Sequence, residues 1–186
     1  MSKIDGSLTA SFVYNAEGLR VQKTVNGVVT KYILHGKNIT HLIRGNDELH
    51  FFYDASGSPA AVEWNNGTAT AKYAYVKNLQ GDVERVISDT GTLLASYTYD
   101  AWGSICQSSG SLADINPIRY RSYYYDTETG LYYLQSRYYD PQVGRFVNAD
   151  GQIDSNAGLV GTNLFSYTAN NPIHSIDDSG SSLIVV

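Results

Sequence analysis

Apolar and polar positions alternate with a period of two along most of this chain. In "SFVYNAEGLRVQKTVNGVVTKYIL", Phe12 to Tyr14 run into the polar stretch Asn15–Gly18, and Leu19 to Val25 then alternate. Asn26-Gly27 follows, and Val28 to Leu34 return. Alternation sends successive side chains to opposite faces of a strand. Asn-Gly accepts positive φ at both positions, which makes it a strong hairpin signal. "FFYDASGSP", "VISDTGTLLASYTYDAWG" and "YYYDTETGLYYL" repeat the strand–turn–strand grammar. No stretch before residue 155 has a helical period. The one helical candidate is 159–170, "LVGTNLFSYTAN". Thr162 or Asn163 would cap it, Leu164, Tyr167 and Thr168 would share a face, and Asn-Asn-Pro would stop it. The pattern therefore predicts a mainly β chain of stacked antiparallel hairpins forming a curved sheet, with a short C-terminal helix docked on it.

The hairpins are related by an internal repeat. Tyr-Asx is followed by two residues and Gly in "YNAEG", "YDASG" and "YDAWG", and by one residue more in "YYDTETG" and "YYDPQVG". The Asx side chain accepts a main-chain hydrogen bond within the turn, and Gly supplies positive φ where the strand resumes. A single hairpin is marginal in water, so neighbouring hairpins must stack to bury their faces. The tyrosines are expected to form packing ladders, with rings inside and hydroxyls at the rim. A sugar-stacking platform of exposed Tyr with Trp64 or Trp102 is the alternative. No convergent polar set accompanies it.

Composition narrows the function classes. Of 186 residues, 42% are apolar and only 17% are charged, so a core can be buried and disorder is disfavoured. The length suits one domain or a piece of a larger protein. A net charge of −5 with scattered basic residues disfavours a nucleic-acid partner. A single cysteine, Cys106, excludes an internal disulfide and a Cys-based zinc site, and is expected to be a plain buried thiol. His35, His41 and His50 lack ligand spacing and are expected at surface or edge positions. "DSNAG" at 154–158 is like the start of a calcium loop, but the position of the closing acid holds Phe165. No cofactor and no metal are expected. No apolar run is long enough to span a membrane, no signal peptide is visible at the start, and the apolar tail "SSLIVV" reads as a chain cut where another segment begins.

The tandem Tyr-Asp units resemble the YD repeats of the Rhs family. Residues 117–150, "PIRYRSYYYDTETGLYYLQSRYYDPQVGRFVNAD", resemble the Rhs repeat-associated core signature, as do "NLFSYTANNPIHSIDDSG" at 163–180 and "KNLQGDVERVISDTG" at 77–91. The resemblance implies a large bacterial toxin-delivery polypeptide, with relatives in insecticidal toxin complexes and among wall-associated proteins. It implies a hollow shell spiralled from YD repeats, a core that plugs its C-terminal end, and a variable toxin beyond. On that reading residues 1–116 are a YD-repeat strip, 117–181 the plug, and 182–186 the start of a truncated extension. The implied partners are the chain's own C-terminal toxin in a longer homologue and a secretion machinery. The implied location is secreted or at the bacterial cell surface.

In several family members the core cuts its own chain once, by an aspartyl mechanism. The matching residues here are Arg137 in "SRYYDP", Asp150 closing "GRFVNAD" and Asp177 opening "DDSG", and the candidate bond is Ser181–Ser182. Two close carboxylates cannot both ionise cheaply, so they share a proton, and one activates water while the other acts as acid. The chain departs from the family pattern at Asp178 and Gly151, where Pro is usual, and at Ser181, where Leu is usual. Read without the family, Asp150 and Asp177 are turn residues and Arg137 is a strand residue paired with an acid. A non-catalytic structural or carbohydrate-binding β scaffold, and an orphan fragment, stay open beside self-cleavage.

Overall fold

The computed structural model describes residues 8–149, 163–177, 180 and 183–185. The chain divides into two compact units: residues 1–75 with 87–92, and residues 76–86 with 93–186. It is mainly β, as the alternation requires.

In the first unit, β1 (Ala10–Tyr14), β2 (Arg20–Val25), β3 (Val28–His35), β4 (Asn38–Arg44), β5 (Asp47–Tyr53), β6 (Pro59–Asn65) and β7 (Thr70–Lys77) pair antiparallel in chain order. The register explains the burial. Tyr32, Leu42 and Leu49 lie opposite one another across β3, β4 and β5 and are all buried. One residue along, His41 faces His50 on the other surface of the sheet, their rings 4.0 Å apart. The Arg20 side chain is also buried, its guanidinium 4.9 Å from the Tyr32 ring and 5.5 Å from that of Phe12.

One turn recurs with nearly invariant geometry. The main-chain N–H of Asn15, Asp54, Asn78, Ser88 and Asp100 donates to the carbonyl four residues on, and the N–H of the following Gly returns to the carbonyl of that first residue. The Asp54 side chain accepts from the N–H groups of Ser56 and Ser58 at 2.9 and 3.0 Å, and that of Asp100 from Trp102 and Ser104, both at 2.9 Å. Beside three of these turns the register slips at one equivalent place, where Tyr14 faces Arg20, Tyr53 faces Pro59 and Tyr99 faces Ile105. Such a bulge raises local twist and re-aims the neighbouring side chain. The Tyr53 hydroxyl reaches back to the Ile39 carbonyl at 2.7 Å, and that of Tyr99 to Val83 at 2.7 Å. Each such bond is worth about 1 kcal/mol net, and the half-buried ring adds to it.

The second unit contains β8 (Val83–Ile87), β9 (Leu93–Tyr99) and β10 (Ile105–Ser109). It also holds a four-stranded sheet of β11 (Tyr124–Asp126), β12 (Leu131–Leu134), β13 (Arg137–Asp140) and β14 (Arg145–Phe146), and a hairpin of β15 (Ser175–Asp177) and β16 (Leu183–Val185). Its core is an aromatic cluster of Tyr120, Tyr123, Tyr132, Tyr139, Phe146 and Tyr167 with Leu134. The Tyr120, Tyr132 and Tyr139 hydroxyls donate to the carbonyls of Ala101, Gly103 and Trp102 at 2.9, 2.8 and 2.7 Å. The tyrosines are thus packing ladders, as the repeat predicts. A Cβ on Gly103 would lie 2.5 Å from the Tyr120 ring, so glycine is required there by space as well as by its φ of +88°.

Two expectations are corrected. No α-helix stands at the described part of 159–170; residues 159–162 lie outside the described residues. Ser166 instead bridges Arg145, and a single 3-10 turn at Thr168–Asn170 carries positive φ at all three residues. Pairing with β14 and burial of the Tyr167 ring outweigh a weak helical pattern rich in Asn, Thr and Gly. Cys106 is exposed, not buried, because it lies on β10 beside the register slip between Ile105 and Gln107, where the strand faces solvent.

Candidate functional site

Arg137 opens β13 directly after the tight turn Gln135-Ser136, in which Gln135 takes φ +61°. Its position is set by pairing with Leu134 across that turn. The side chain is buried, and the guanidinium carbon lies 3.5 Å from the centre of the Phe146 ring. Every nitrogen of the guanidinium has an acceptor. Nη2 donates to Asp177 Oδ2 at 3.1 Å, Nη1 to the Leu164 carbonyl at 3.1 Å, and Nε to the Gly180 carbonyl. The ring below and the acceptors around the rim hold the planar fork in one orientation.

Asp177 ends β15 and faces Leu183 of β16. In the sequence the candidate bond Ser181–Ser182 falls between β15 and β16. Asp177 also opens an Asx-x-x-Gly sequence like those of the repeats. At Asp54 and Asp100 that residue is exposed; Asp177 is only 4% exposed. Its two oxygens divide the work. Oδ1 accepts the Gly180 N–H at 2.7 Å, which is turn chemistry, and Oδ2 faces Arg137. An isolated buried carboxylate is costly, and the ion pair is what makes this burial tolerable.

Gly180 shows how tightly the turn is seated. Its φ is +81°, and a Cβ there would lie 2.7 Å from both the Leu134 carbonyl and Ser136 Oγ. Gly180 lies against the β12–β13 connection with no space for a side chain.

The main chain of Asp177 is held from the other side. The Tyr123 hydroxyl donates to the Asp177 carbonyl at 2.7 Å and accepts the Asp177 N–H at 3.1 Å, and the Tyr167 hydroxyl lies 3.2 Å away. Burial pushes both hydroxyls well above the ordinary tyrosine range, so both stay neutral.

Of the residues singled out in the sequence, Arg137 and Asp177 are brought together. Asp150, Ser181 and Ser182 lie outside the described residues. The chain leading to Asp150 is anchored beside Arg137: Val147 N–H donates to the Tyr138 carbonyl at 2.8 Å, and Asn148 Oδ1 accepts the Tyr138 N–H at 3.1 Å. Tyr123, Phe146 and Gly180 were not singled out in the sequence, and Tyr167 only as a face residue of the expected helix. Only Gly180 carried a signal, its spacing from Asp177. Among the described residues no group of three His, Cys, Asp or Glu side chains is placed to hold a metal ion, and no helix is long and apolar enough to cross a membrane.

Residues 3–173 match the Teneurin YD-shell family. The chain belongs to that family. Over 173 residues it is 37% identical to the tRNA nuclease WapA of Bacillus subtilis, a match that covers 92% of this chain and 7% of that protein. It is 29% identical over 135 residues to the toxin protein Tse5 of Pseudomonas aeruginosa, covering 72% of this chain and 10% of that one. The crystal structure of TcdB2-TccC3-Cdc42 shares the fold, with a TM-score of 0.78 at 20% identity over 96% of this chain and 9% of that one. The chain thus spans a tenth or less of each protein's length. The YD-shell membership agrees with the Rhs resemblance carried by the Tyr-Asp repeats.

Proposed function

We propose that this chain is the C-terminal end of an Rhs-type shell, residues 117–181 forming the plug behind which a C-terminal toxin is held, and that the plug cuts its own chain at Ser181–Ser182. The observation that carries the reading is the buried Arg137–Asp177 pair, whose Asp177 stands four residues before that bond in the sequence. A repeat turn of this length needs no buried carboxylate, although the longer turn at Asp126 has one. Asp54 and Asp100 close the same motif while exposed.

In the proposed reaction Arg137 keeps Asp177 ionised, and Asp150 is the protonated member of the dyad. Asp177 takes a proton from water as its oxygen adds to the Ser181 carbonyl carbon. Asp150 delivers a proton to the departing Ser182 nitrogen. The products are a carboxylate at Ser181 and an amine at Ser182, with one water consumed. Arg137 Nε on the Gly180 carbonyl fixes the peptide one bond upstream of the cut. The product is released on the toxin side while the plug stays folded, consistent with toxin relatives much longer than this chain. Export by a secretion machinery and residence outside the bacterial cell belong to the same reading.

The test is intact mass of the chain carrying a reporter domain after Val186, beside Asp150→Asn and Asp177→Asn. Loss of the reporter in the parent alone supports the dyad. An intact fusion in all three leaves Arg137–Asp177 as a structural staple of a non-cutting plug.

A further inference from the structure

We propose that Tyr123 is a positioning residue for Asp177, acting with Arg121 two residues before it. The inference rests on the self-cleavage reading and adds to it a residue that bonds the main chain of Asp177 rather than its carboxylate. The Tyr123 hydroxyl does for Asp177 what a neighbouring strand would do: one oxygen satisfies both the N–H and the C=O of the same residue. That fixes the main chain of Asp177 at the last residue of β15, where strand pairing ends and the turn begins. From that main chain the side chain points toward Arg137 Nη2 and the Gly180 N–H.

Arg121 secures the approach to the same strand. It is buried, with φ +51°, and its main-chain N–H donates to Asp82 Oδ1 at 2.9 Å. Its Nη1 donates to the Gln80 carbonyl at 3.2 Å and its Nη2 to the Pro172 carbonyl. Gln80 in turn donates through Nε2 to the Ile173 carbonyl at 2.7 Å. The segment that ends in Asp177 is therefore held at Pro172 and Ile173 by Arg121 and Gln80, and at Asp177 by Tyr123. A left-handed residue such as Arg121 is retained where the surroundings impose it. Here it lets residues 121 and 123 face the same segment across a 3-10 turn.

Tyr167 supplies the control. It is fully buried and in the same cluster, its ring edge-on to that of Tyr123 at 6.5 Å and its hydroxyl 3.2 Å from that of Tyr123, yet among the described residues no hydrogen bond joins it to Asp177. The experiment measures the self-cleavage rate of the reporter fusion by mass for the parent, Tyr123→Phe and Tyr167→Phe. It also measures hydrogen exchange at the Asp177 amide in all three. Positioning predicts that Tyr123→Phe slows cleavage about ten- to a hundredfold, since two buried main-chain groups lose their partner. Tyr167→Phe should change the rate by less than about threefold. Asp177 amide protection should fall in Tyr123→Phe alone, while that of Tyr138 is unchanged. Equal slowing in both variants would make Tyr123 an ordinary core tyrosine and overturn the inference, as would Asp177 protection unchanged in Tyr123→Phe. A parent that does not cleave sinks the cleavage reading alone. Exchange at Asp177 then still decides whether Tyr123 fixes that residue.

Discussion

At the scale of single residues, the chain separates two uses of one motif. Asp54 and Asp100 spend their carboxylates on turn N–H groups in water. Asp177 gives one oxygen to its turn and the other to a buried arginine. Removing one member of a buried pair costs more than the pair itself contributes, because the survivor stays charged and dry. Arg137→Met should therefore destabilise the chain by about 3 kcal/mol or more. Denaturant melts would show it as a lowered midpoint, and an unchanged midpoint would mean the pair is not buried as described. Gly180→Ala confronts a φ of +81° and a main-chain carbonyl 2.7 Å from the new Cβ. It should cost about 2 kcal/mol, and a neutral result would show that Gly180 is not seated on Leu134. The motif at Asp177 could be read from the sequence as turn or as chemistry. Its burial could not, because Tyr123, which holds its main chain, and Arg137, which pairs with it, lie 54 and 40 residues away in the sequence.

At the scale of elements, the hairpins were legible because their cause is local. Alternation sets the strands, and Asx with Gly sets the turn. The register slips at Tyr14, Tyr53 and Tyr99 could not be read, since a bulge depends on the partner strand. The expected helix failed for a similar reason. Residues 163–170 make their best bonds with β14, and Tyr167 finds its place in an aromatic core assembled from other elements. The turn device itself makes a prediction. Asp54→Ala removes the acceptor for Ser56 and Ser58 and should lower stability by about 1 kcal/mol. Asp54→Asn should recover most of it, because the amide oxygen accepts the same bonds. Thermal melts of both variants would check this, and equal losses would point to charge rather than the turn.

At the scale of the whole molecule, neutral tyrosines are the common material of both units. Burial pushes Tyr53 from the ordinary value of 10.0 up to about 12, and raises Tyr99, Tyr123, Tyr139 and Tyr167 further. Folded tyrosines thus keep protons that unfolded ones have lost. Their contribution is fully present below about pH 10 and falls as pH rises through the folded values. Tyrosinate absorbance should lag behind that of free tyrosine above pH 10 and then rise together with loss of structure; smooth titration near 10 with the fold intact would contradict the buried ladders. Family membership was legible from the Tyr-Asp repeats and the core signature, because both are long ordered patterns. The reacting geometry was legible only as residue types, and the structure adds the Arg137–Asp177 contact and the seating of Gly180.

The most direct test of the central claim is the mass of whatever the parent reporter fusion releases, measured beside Asp177→Asn. The account predicts a released fragment that begins at Ser182, and none from Asp177→Asn. A fragment released equally from both chains, or a parent fusion that stays whole, would contradict it.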